Sequence, residues 1–249
     1  MNSENTLNIN TLNVERIIGR GRLLSEIPKS NTPYLIVKLG PPGSGKSSDI
    51  TNKEVINLGV NINDTVLFDV DAILASSKLF RNTTRTIRNN YQTKNFNRNL
   101  YNKLSNVHKS FTRARKISHI NRHSHQLIGT KTISSHMNSL LAESIRNKVN
   151  IIIELTSKFD KIIMPHYNNL RKHGFKVVVI YPVVQLNTLK SRIMSRGEDY
   201  YKQPQSYYRT FDVNTLPSAI QVAQEEINTY ILPGLYKGDI YKIIVINNE

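Results

Sequence analysis

The sequence predicts an α/β fold in which a parallel five-stranded sheet is flanked by helices. Short β-branched and aliphatic segments alternate with longer segments of helical periodicity along the 249 residues, a pattern typical of repeated strand–helix units. A loop rich in glycine directly follows the first apolar segment, and such loops join strands to helices in open α/β sheets. The length suits one domain with a sizeable core.

Five segments are predicted to be strands because they are compact, mostly apolar and bounded by polar or Gly/Pro residues. In chain order they are 34–39, 64–70, 149–154, 175–181 and 240–246. Residues 1–13 form a low-complexity Asn/Thr/Leu tail. We place an N-terminal extension at 1–33 and one domain at 34–249, which includes an insertion at 81–149.

The segments between the strands are predicted to be helical. The helix at 158–173 should break at Pro165 and end at Gly174, which favours the left-handed conformation of a helix C-terminus. Residues 196–212, rich in Arg, Tyr and Gln, are predicted to form a loop. The other predicted helices lie at 14–27, 46–58, 71–80, 183–195 and 216–231.

The positive charge is concentrated in one insertion. The chain has 34 Lys and Arg against 18 Asp and Glu, a formal net charge of +16. The segment 81–149 holds fourteen of the basic residues and a single acid, Glu143, whereas the remainder of the chain is nearly balanced. Phe96, Leu100, Leu104 and Phe111 follow a helical period, so we expect a mostly helical basic insertion with its own apolar face.

The composition also excludes several classes of protein. The chain has no cysteine, which excludes disulfide frameworks, thiolate zinc sites and iron–sulfur clusters. It begins with a polar segment that lacks the basic and apolar regions of a signal peptide, and no apolar run is long enough to cross a membrane. We therefore expect a cytoplasmic protein that makes no membrane contact.

The loop after the first strand matches the pattern GxxxxGK[ST] at every fixed position. Its glycines allow successive backbone N–H groups to surround a β-phosphate at a helix N-terminus. Lys46 would reach the β- and γ-phosphates, and Ser47 would offer a hydroxyl to Mg²⁺. The alternative is an ordinary glycine-rich turn. The predicted nucleotide-binding residues are Gly40, Pro41, Pro42, Gly43, Ser44, Gly45, Lys46, Ser47 and Ser48.

Carboxylates follow two of the predicted strands. Asp69 and Asp71 close the second strand and would share one face if the strand continued to Asp71; one of them could orient an attacking hydroxyl or accept its proton. Glu154 ends another strand in the manner of a Walker-B acid, with Thr156 two residues later. In open parallel sheets ligands bind beyond these strand ends. The alternatives are a helix N-cap for Asp71 and a solvated strand end for Glu154.

Three arginines, Arg192, Arg196 and Arg209, surround the Tyr-rich segment 197–208 of the predicted loop. Arginines on a closing segment stabilise the charge of a transferring γ-phosphoryl group and help to exclude water. In so basic a chain, however, the same residues could also be solvated surface cations.

Together these motifs resemble the zeta-toxin family of P-loop kinases. The resemblance covers about 34–212 and rests on GPPGSGKS, on the Asp-x-Asp that ends at Asp71, on Ile-Glu-Leu-Thr at 153–156, and on two arginines of family-like spacing. It implies a nucleotide-kinase-like fold and transfer of phosphate from ATP or GTP, with Mg²⁺, to the 3′-hydroxyl of UDP-N-acetylglucosamine or a related amino sugar.

The resemblance also implies a role for individual residues. Lys46 and Ser47 would hold phosphates and Mg²⁺, Asp71 would be the catalytic base, and Glu154 and Thr156, with Asp69, would position the acceptor. Arg196 and Arg209 would contact the triphosphate, with Arg192 as a substitute. An inhibitory protein partner, as the family's toxins have, is a further implication.

Two features depart from the family. Leu155 replaces a glycine of the family motif, and the segment between Asp71 and Glu154 is longer than the family's. That segment contains the basic insertion and lies where an acceptor pocket would be built.

The basic insertion allows two interpretations. Aromatic residues among cations are typical of single-stranded nucleic-acid surfaces, but Phe96 and Phe111 could instead belong to a buried helix face. A metal site at His123 and His125 is not supported by any cysteine or paired acid. The aromatic residues concerned are Tyr91, Phe96, Tyr101 and Phe111, and the other histidines are His108, His119 and His136.

Three functions remain open from the sequence. The favoured one is a kinase that phosphorylates a small anionic acceptor such as a nucleotide sugar. The second is a polynucleotide kinase that acts on 5′-hydroxyl ends bound through 81–149. The third is a nucleotide-gated RNA-binding protein with little turnover.

Overall fold

Five parallel strands form the central sheet of the protein. The computed structural model describes residues 14–90, 98–114, 116–120, 127–202 and 212–248. In chain order these strands are β1 (Tyr34–Leu39), β2 (Thr65–Phe68), β5 (Asn150–Leu155), β6 (Lys176–Val183) and β7 (Lys242–Asn247). Their spatial order is β2-β5-β1-β6-β7, which confirms the predicted five-stranded parallel sheet.

A separate antiparallel hairpin lies within the insertion. It consists of β3 (Lys116–Ile120) and β4 (Leu127–Thr132), paired with a register shift at His119. This hairpin was not predicted from the sequence, because its two strands show little of the apolar alternation that indicates a strand.

Eleven α-helices within the described ranges surround these strands. They are α1 (Val14–Ile18), α2 (Asp49–Asn57), α3 (Val70–Ser76), α4 (Lys78–Asn89), α5 (Arg98–Lys109), α6 (Ile133–Arg146), α7 (Phe159–Ile162), α8 (Tyr167–Lys172), α9 (Leu186–Lys202), α10 (Leu216–Glu226) and α11 (Leu232–Tyr236). Short 3₁₀ turns occupy 24–26, 62–64, 164–166 and 213–215, and π-helical turns occupy 110–114 and 227–231.

Many boundaries differ from the sequence prediction; the helix predicted at 14–27, for example, is α-helical only at Val14–Ile18. Three of the differences lie close to the predicted site residues. β2 ends at Phe68 because the side chain of Asp69 accepts hydrogen bonds from backbone N–H groups of α3 and begins that helix instead. α2 begins only at Asp49, after a Ser48 cap. α9 continues to Lys202, so the first part of the predicted loop at 196–212 is helical, and this part of the prediction is wrong. Residues 203–211 lie outside the described residues.

Apolar side chains cover both faces of the sheet. On one face Ile36, Ile152 and Val178 pack with Val55 of α2. On the other face the larger cluster includes Val37, Ile153 and Val179 of the sheet, together with side chains from the N-terminal segment, from the start of α4 and from the insertion. These contributors include Val14, Ile18, Phe80, Phe111, Leu140 and Leu141.

The insertion therefore shares the core of the domain. Phe80 and Phe111 are 0% and 1% exposed and meet edge to face, with ring centroids 5.0 Å apart. Leu100 and Leu104 are also buried, which confirms the apolar helix face inferred for this segment. Phe96 and Tyr91 lie outside the described residues, as do His123 and His125.

No helix in the described part of the chain is both long enough and apolar enough to span a lipid bilayer.

Candidate active site

The glycine-rich loop leaves the central strand β1 and turns beneath α2. Gly43 and Gly45 have φ angles of 81° and 85°, a left-handed conformation that a side chain would strain. Lys46 folds back over the loop, and its Nζ donates hydrogen bonds to the carbonyl oxygens of Gly40 and Pro41, at 2.8 Å and 3.1 Å. The ammonium group thus lies inside the loop that the sequence predicts to surround a phosphate.

The rear of this loop is held by two side chains that come from distant parts of the chain. Asn248, just after β7, donates from Nδ2 to the carbonyl oxygen of Ser44 at 2.8 Å. Arg192 of α9 donates to the carbonyl oxygens of Asn248, at 3.0 Å, and Gly43, at 3.4 Å. A Cβ atom at Gly45 would lie 2.1 Å from Asn248 Nδ2, so the close approach requires glycine.

This bracing predicts a stability effect. Replacing Arg192 by alanine should lower the free energy of unfolding by about 1–3 kcal/mol, because the carbonyl oxygens of Gly43 and Asn248 lose a charged donor. Denaturant unfolding of the variant would measure the loss. Lys190→Ala, on the same helix, is the matched control and should change stability by less than about 0.5 kcal/mol. Equal losses for the two variants would contradict the bracing role.

Glu154 is held at the end of β5 by two neighbours. Ser47 donates from Oγ to Glu154 Oε2 at 3.0 Å, and Lys38 Nζ lies 3.9 Å from Oε1. Lys38 is 2% exposed and also donates to Asn52 Oδ1 at 2.7 Å. Burial lowers the pKa of Lys38, and the charge of Glu154 opposes that shift. Lys38 was missed as a site residue, although a lysine within an otherwise apolar strand was a visible signal.

The two aspartates have different positions. Asp69 Oδ1 accepts hydrogen bonds from the N–H groups of Asp71 and Ala72 and caps α3. Burial raises the pKa of the Asp69 carboxyl, and the hydrogen bond from Ala72 opposes this shift. Asp71 lies in the first turn of α3 with a half-exposed side chain. The N-cap is therefore Asp69 and not Asp71, and the two residues do not share a strand face.

Most of the residues predicted to form the site border one cavity of about 570 Å³. Its P-loop wall includes Lys46 and Ser47, and Asp69, Asp71, Glu154, Thr156 and Arg196 line it as well. The structure thus brings these predicted residues together. Arg209 lies outside the described residues. No residue of 81–149 is among the described residues that line the cavity.

The remaining wall was missed by the sequence analysis. It is formed by α10 and the turn before it, together with Ser157, and it brings several small and hydroxyl-bearing side chains opposite the P-loop. The residues from this wall are Thr215, Ser218, Ala219 and Val222. The sequence predicted only a helix at 216–231, and no motif marked these side chains as site residues.

The residues of the loop fit a nucleotide phosphate and Mg²⁺. Lys46 brings an ammonium group to the cavity wall, where it can bind a phosphate oxygen. The Ser47 hydroxyl and the Glu154 carboxylate are adjacent hard oxygen donors. Mg²⁺ is commonly held by one or two protein oxygens together with substrate phosphates.

The cavity also changes the acidity of Lys46. Burial lowers the pKa of Lys46 to about 8, although the negative charges of Glu154, Asp71 and Asp69 act in the opposite direction. Arg196 contributes to the lowering because it is a like charge. The main cause of the lowered pKa is thus the loss of water around the ammonium group, and a bound phosphate would favour its charged form.

Comparisons with known proteins show the fold. No protein-family profile and no curated protein matches the sequence. A solved structure from the PezAT chromosomal toxin-antitoxin system of Streptococcus pneumoniae matches with a TM-score of 0.55 and 14% identity, covering 99% of this chain and 78% of that one. A candidate kinase from Chloroflexus aurantiacus matches with a TM-score of 0.40 and 13% identity, covering 87% of this chain and 89% of that one. The chain shares its overall α/β fold with the first of these structures; in this chain that fold is a five-stranded parallel sheet flanked by helices.

Proposed function

We propose that the protein is a phosphotransferase that moves the γ-phosphoryl group of ATP or GTP to a hydroxyl of a small phosphorylated acceptor, such as a UDP-amino sugar. The observation that carries this proposal is the convergence of Lys46, Ser47, Asp71, Glu154 and Arg196 on one cavity. The motif resemblance to zeta toxins and the fold match to a toxin–antitoxin structure support it.

In this proposal each residue has a stated role. Asp71 accepts the proton as the acceptor O–H bond breaks, a new P–O bond forms to the acceptor oxygen, and the bond to the leaving nucleoside diphosphate breaks. Lys46 and Arg196 neutralise charge on the transferring group. Ser47 and Glu154 would hold Mg²⁺, which when bound neutralises phosphate charge. Thr156 and Asp69 would position the acceptor.

The size of the cavity favours a small acceptor. About 570 Å³ lies within the range of small-molecule sites, roughly 300–1,000 Å³. The hydroxyls of Thr156, Ser157, Thr215 and Ser218 at its wall are suitable partners for a sugar, because a hydroxyl both donates and accepts hydrogen bonds. The polynucleotide alternative rests on the +13 insertion, whose described residues do not line the cavity. An inhibitory protein partner remains a separate proposal.

The direct test is a transfer assay. Purified protein is incubated with γ-labelled ATP or GTP, Mg²⁺, and either UDP-N-acetylglucosamine or a 5′-hydroxyl RNA oligonucleotide. We expect label on the nucleotide sugar and little on the RNA. Label on the RNA, with transfer that weakens steeply as salt increases, would support the polynucleotide kinase instead. If the protein bound nucleotide but transferred label to neither the nucleotide sugar nor the RNA, the proposal would be contradicted.

Nucleotide affinity should depend on pH through Lys46. A bound phosphate should raise the pKa of the Lys46 ammonium above its value of about 8 in the nucleotide-free protein. Below pH 8 Lys46 is charged in both states and affinity should be constant. Above pH 8 the free protein must take up a proton on binding, so Kd should rise by up to about tenfold per pH unit. Titration of a fluorescent, non-hydrolysable ATP analogue from pH 7 to 9.5 measures this dependence.

The matched variant for this titration is Lys46→Arg. A guanidinium stays charged throughout this pH range, so the variant should bind with little dependence on pH. If both proteins showed the same slope, another group would be responsible.

A further inference from the structure

A side chain of the basic insertion contacts a residue of the candidate active site. Nε2 of His108, in the last turn of α5, lies 3.2 Å from Oδ1 of Asp71. An ionised carboxylate only accepts hydrogen bonds, so the imidazole Nε2–H is the donor. This contact links the insertion to the residue proposed as the base.

The two partners differ in exposure. The His108 side chain is 16% exposed, whereas that of Asp71 is 51% exposed. A half-exposed aspartate in the first turn of a helix has several accessible rotamers, each with a different carboxylate direction. The less exposed imidazole has the smaller freedom of the two, and its Nε2–H favours a carboxylate direction in which Oδ1 of Asp71 faces it.

The surroundings of His108 hold it in place. The π-helical turn at 110–114 follows α5 and carries Phe111, which is fully buried against Phe80. Thr112 Oγ1 donates to the carbonyl oxygen of His108 at 2.9 Å, and Ser134 Oγ of α6 donates to the carbonyl oxygen of Thr112 at 3.1 Å. The helix end that carries His108 is thus bonded to a second helix and anchored in the core.

From this geometry we infer that His108 is a positioning residue for Asp71, so that the insertion is part of the catalytic apparatus. The inference rests on the proposed function and adds to it a residue that the motifs do not contain. It also gives the insertion a role that does not depend on its charge: α5 and the turn after it hold the imidazole against the proposed base.

The test compares four proteins in the transfer assay: wild type, His108→Leu, His108→Gln and Lys109→Gln. His108→Leu should lower kcat by about tenfold to a hundredfold, the scale expected for a misdirected catalytic group, with KM for the nucleotide changed less than twofold. His108→Gln keeps an N–H donor and should recover at least half of the loss on a logarithmic scale. Lys109→Gln removes a charge from the same helix and should match wild type.

A second comparison separates positioning from general destabilisation. In an Asp71→Asn background, His108→Leu should cause no further loss of kcat, because the group that it positions is absent. A kcat within twofold of wild type for His108→Leu, or a full additional loss in the Asp71→Asn background, would overturn the inference. Wild-type protein that transfers no phosphate would instead contradict the proposed function, so the two failures are distinguishable.

Discussion

Replacing Asp71 by asparagine is expected to lower kcat for phosphoryl transfer by about a hundredfold to ten-thousandfold. This is the range over which a positioned general base contributes to catalysis. Asparagine keeps the size of the side chain but cannot accept the hydroxyl proton. The half-exposed position of Asp71 at the helix start makes a loss of folding an improbable cause, and a thermal melt of the variant checks this.

Asp69→Asn is the informative comparison for this variant. Asparagine is as good an N-cap as aspartate, so it should preserve the hydrogen bonds that Asp69 makes to the first turn of α3. Its kcat should fall much less than that of Asp71→Asn. The opposite order of the two losses would assign the base to Asp69, whose pKa is raised by burial.

Replacing Lys46 by methionine is expected to lower kcat/KM by about a hundredfold to a thousandfold, the typical cost of removing one preorganised electrostatic contact to a transition state. The same change should raise the melting temperature of the nucleotide-free protein at pH 7. Burial lowers the pKa of Lys46 to about 8, so the charged ammonium costs folding free energy that methionine does not.

The pH dependence of that melting temperature tests its physical cause. Below pH 8 the ammonium is charged in both the folded and unfolded states, and its full cost opposes folding. Between pH 8 and the ordinary lysine value of 10.5 the folded protein loses the proton first, so the cost shrinks. The advantage of Lys46→Met should therefore be largest at pH 7 and smaller at pH 9.5. If Lys46→Met lost activity and also melted at a lower temperature than wild type at pH 7, this explanation would be wrong.

Local patterns predicted most of the sheet. Each core strand is a short apolar run with a polar or Gly/Pro boundary, as expected for strands buried on both faces. The pairing of β1 with β5 and β6 was not predicted. The errors lie where side chains compete with the backbone or where the pattern is weak. The cap at Asp69 ends β2 early, α9 extends through Gly197, and the β3–β4 hairpin lacks clear alternation.

The site was predictable only in part. Lys46, Ser47 and Glu154 belong to motifs whose chemistry is visible in the residue types and spacing, and the structure brings them to one cavity. The bracing role of Arg192, the contact of Lys38 with Glu154 and the contact of His108 with Asp71 depend on residues far apart in the chain. No local pattern contains such contacts.

By itself the sequence determined the α/β class, the phosphate-type loop and the concentration of charge in 81–149, because hydrophobic period, glycine placement and composition act over short stretches of chain. The tertiary structure decided which acids and cations share a cavity, that Asp69 and not Asp71 caps α3, and that His108 of the insertion contacts Asp71. The physical reason is that packing both faces of the sheet brings distant segments together, and the direction of a side chain is set by that packing.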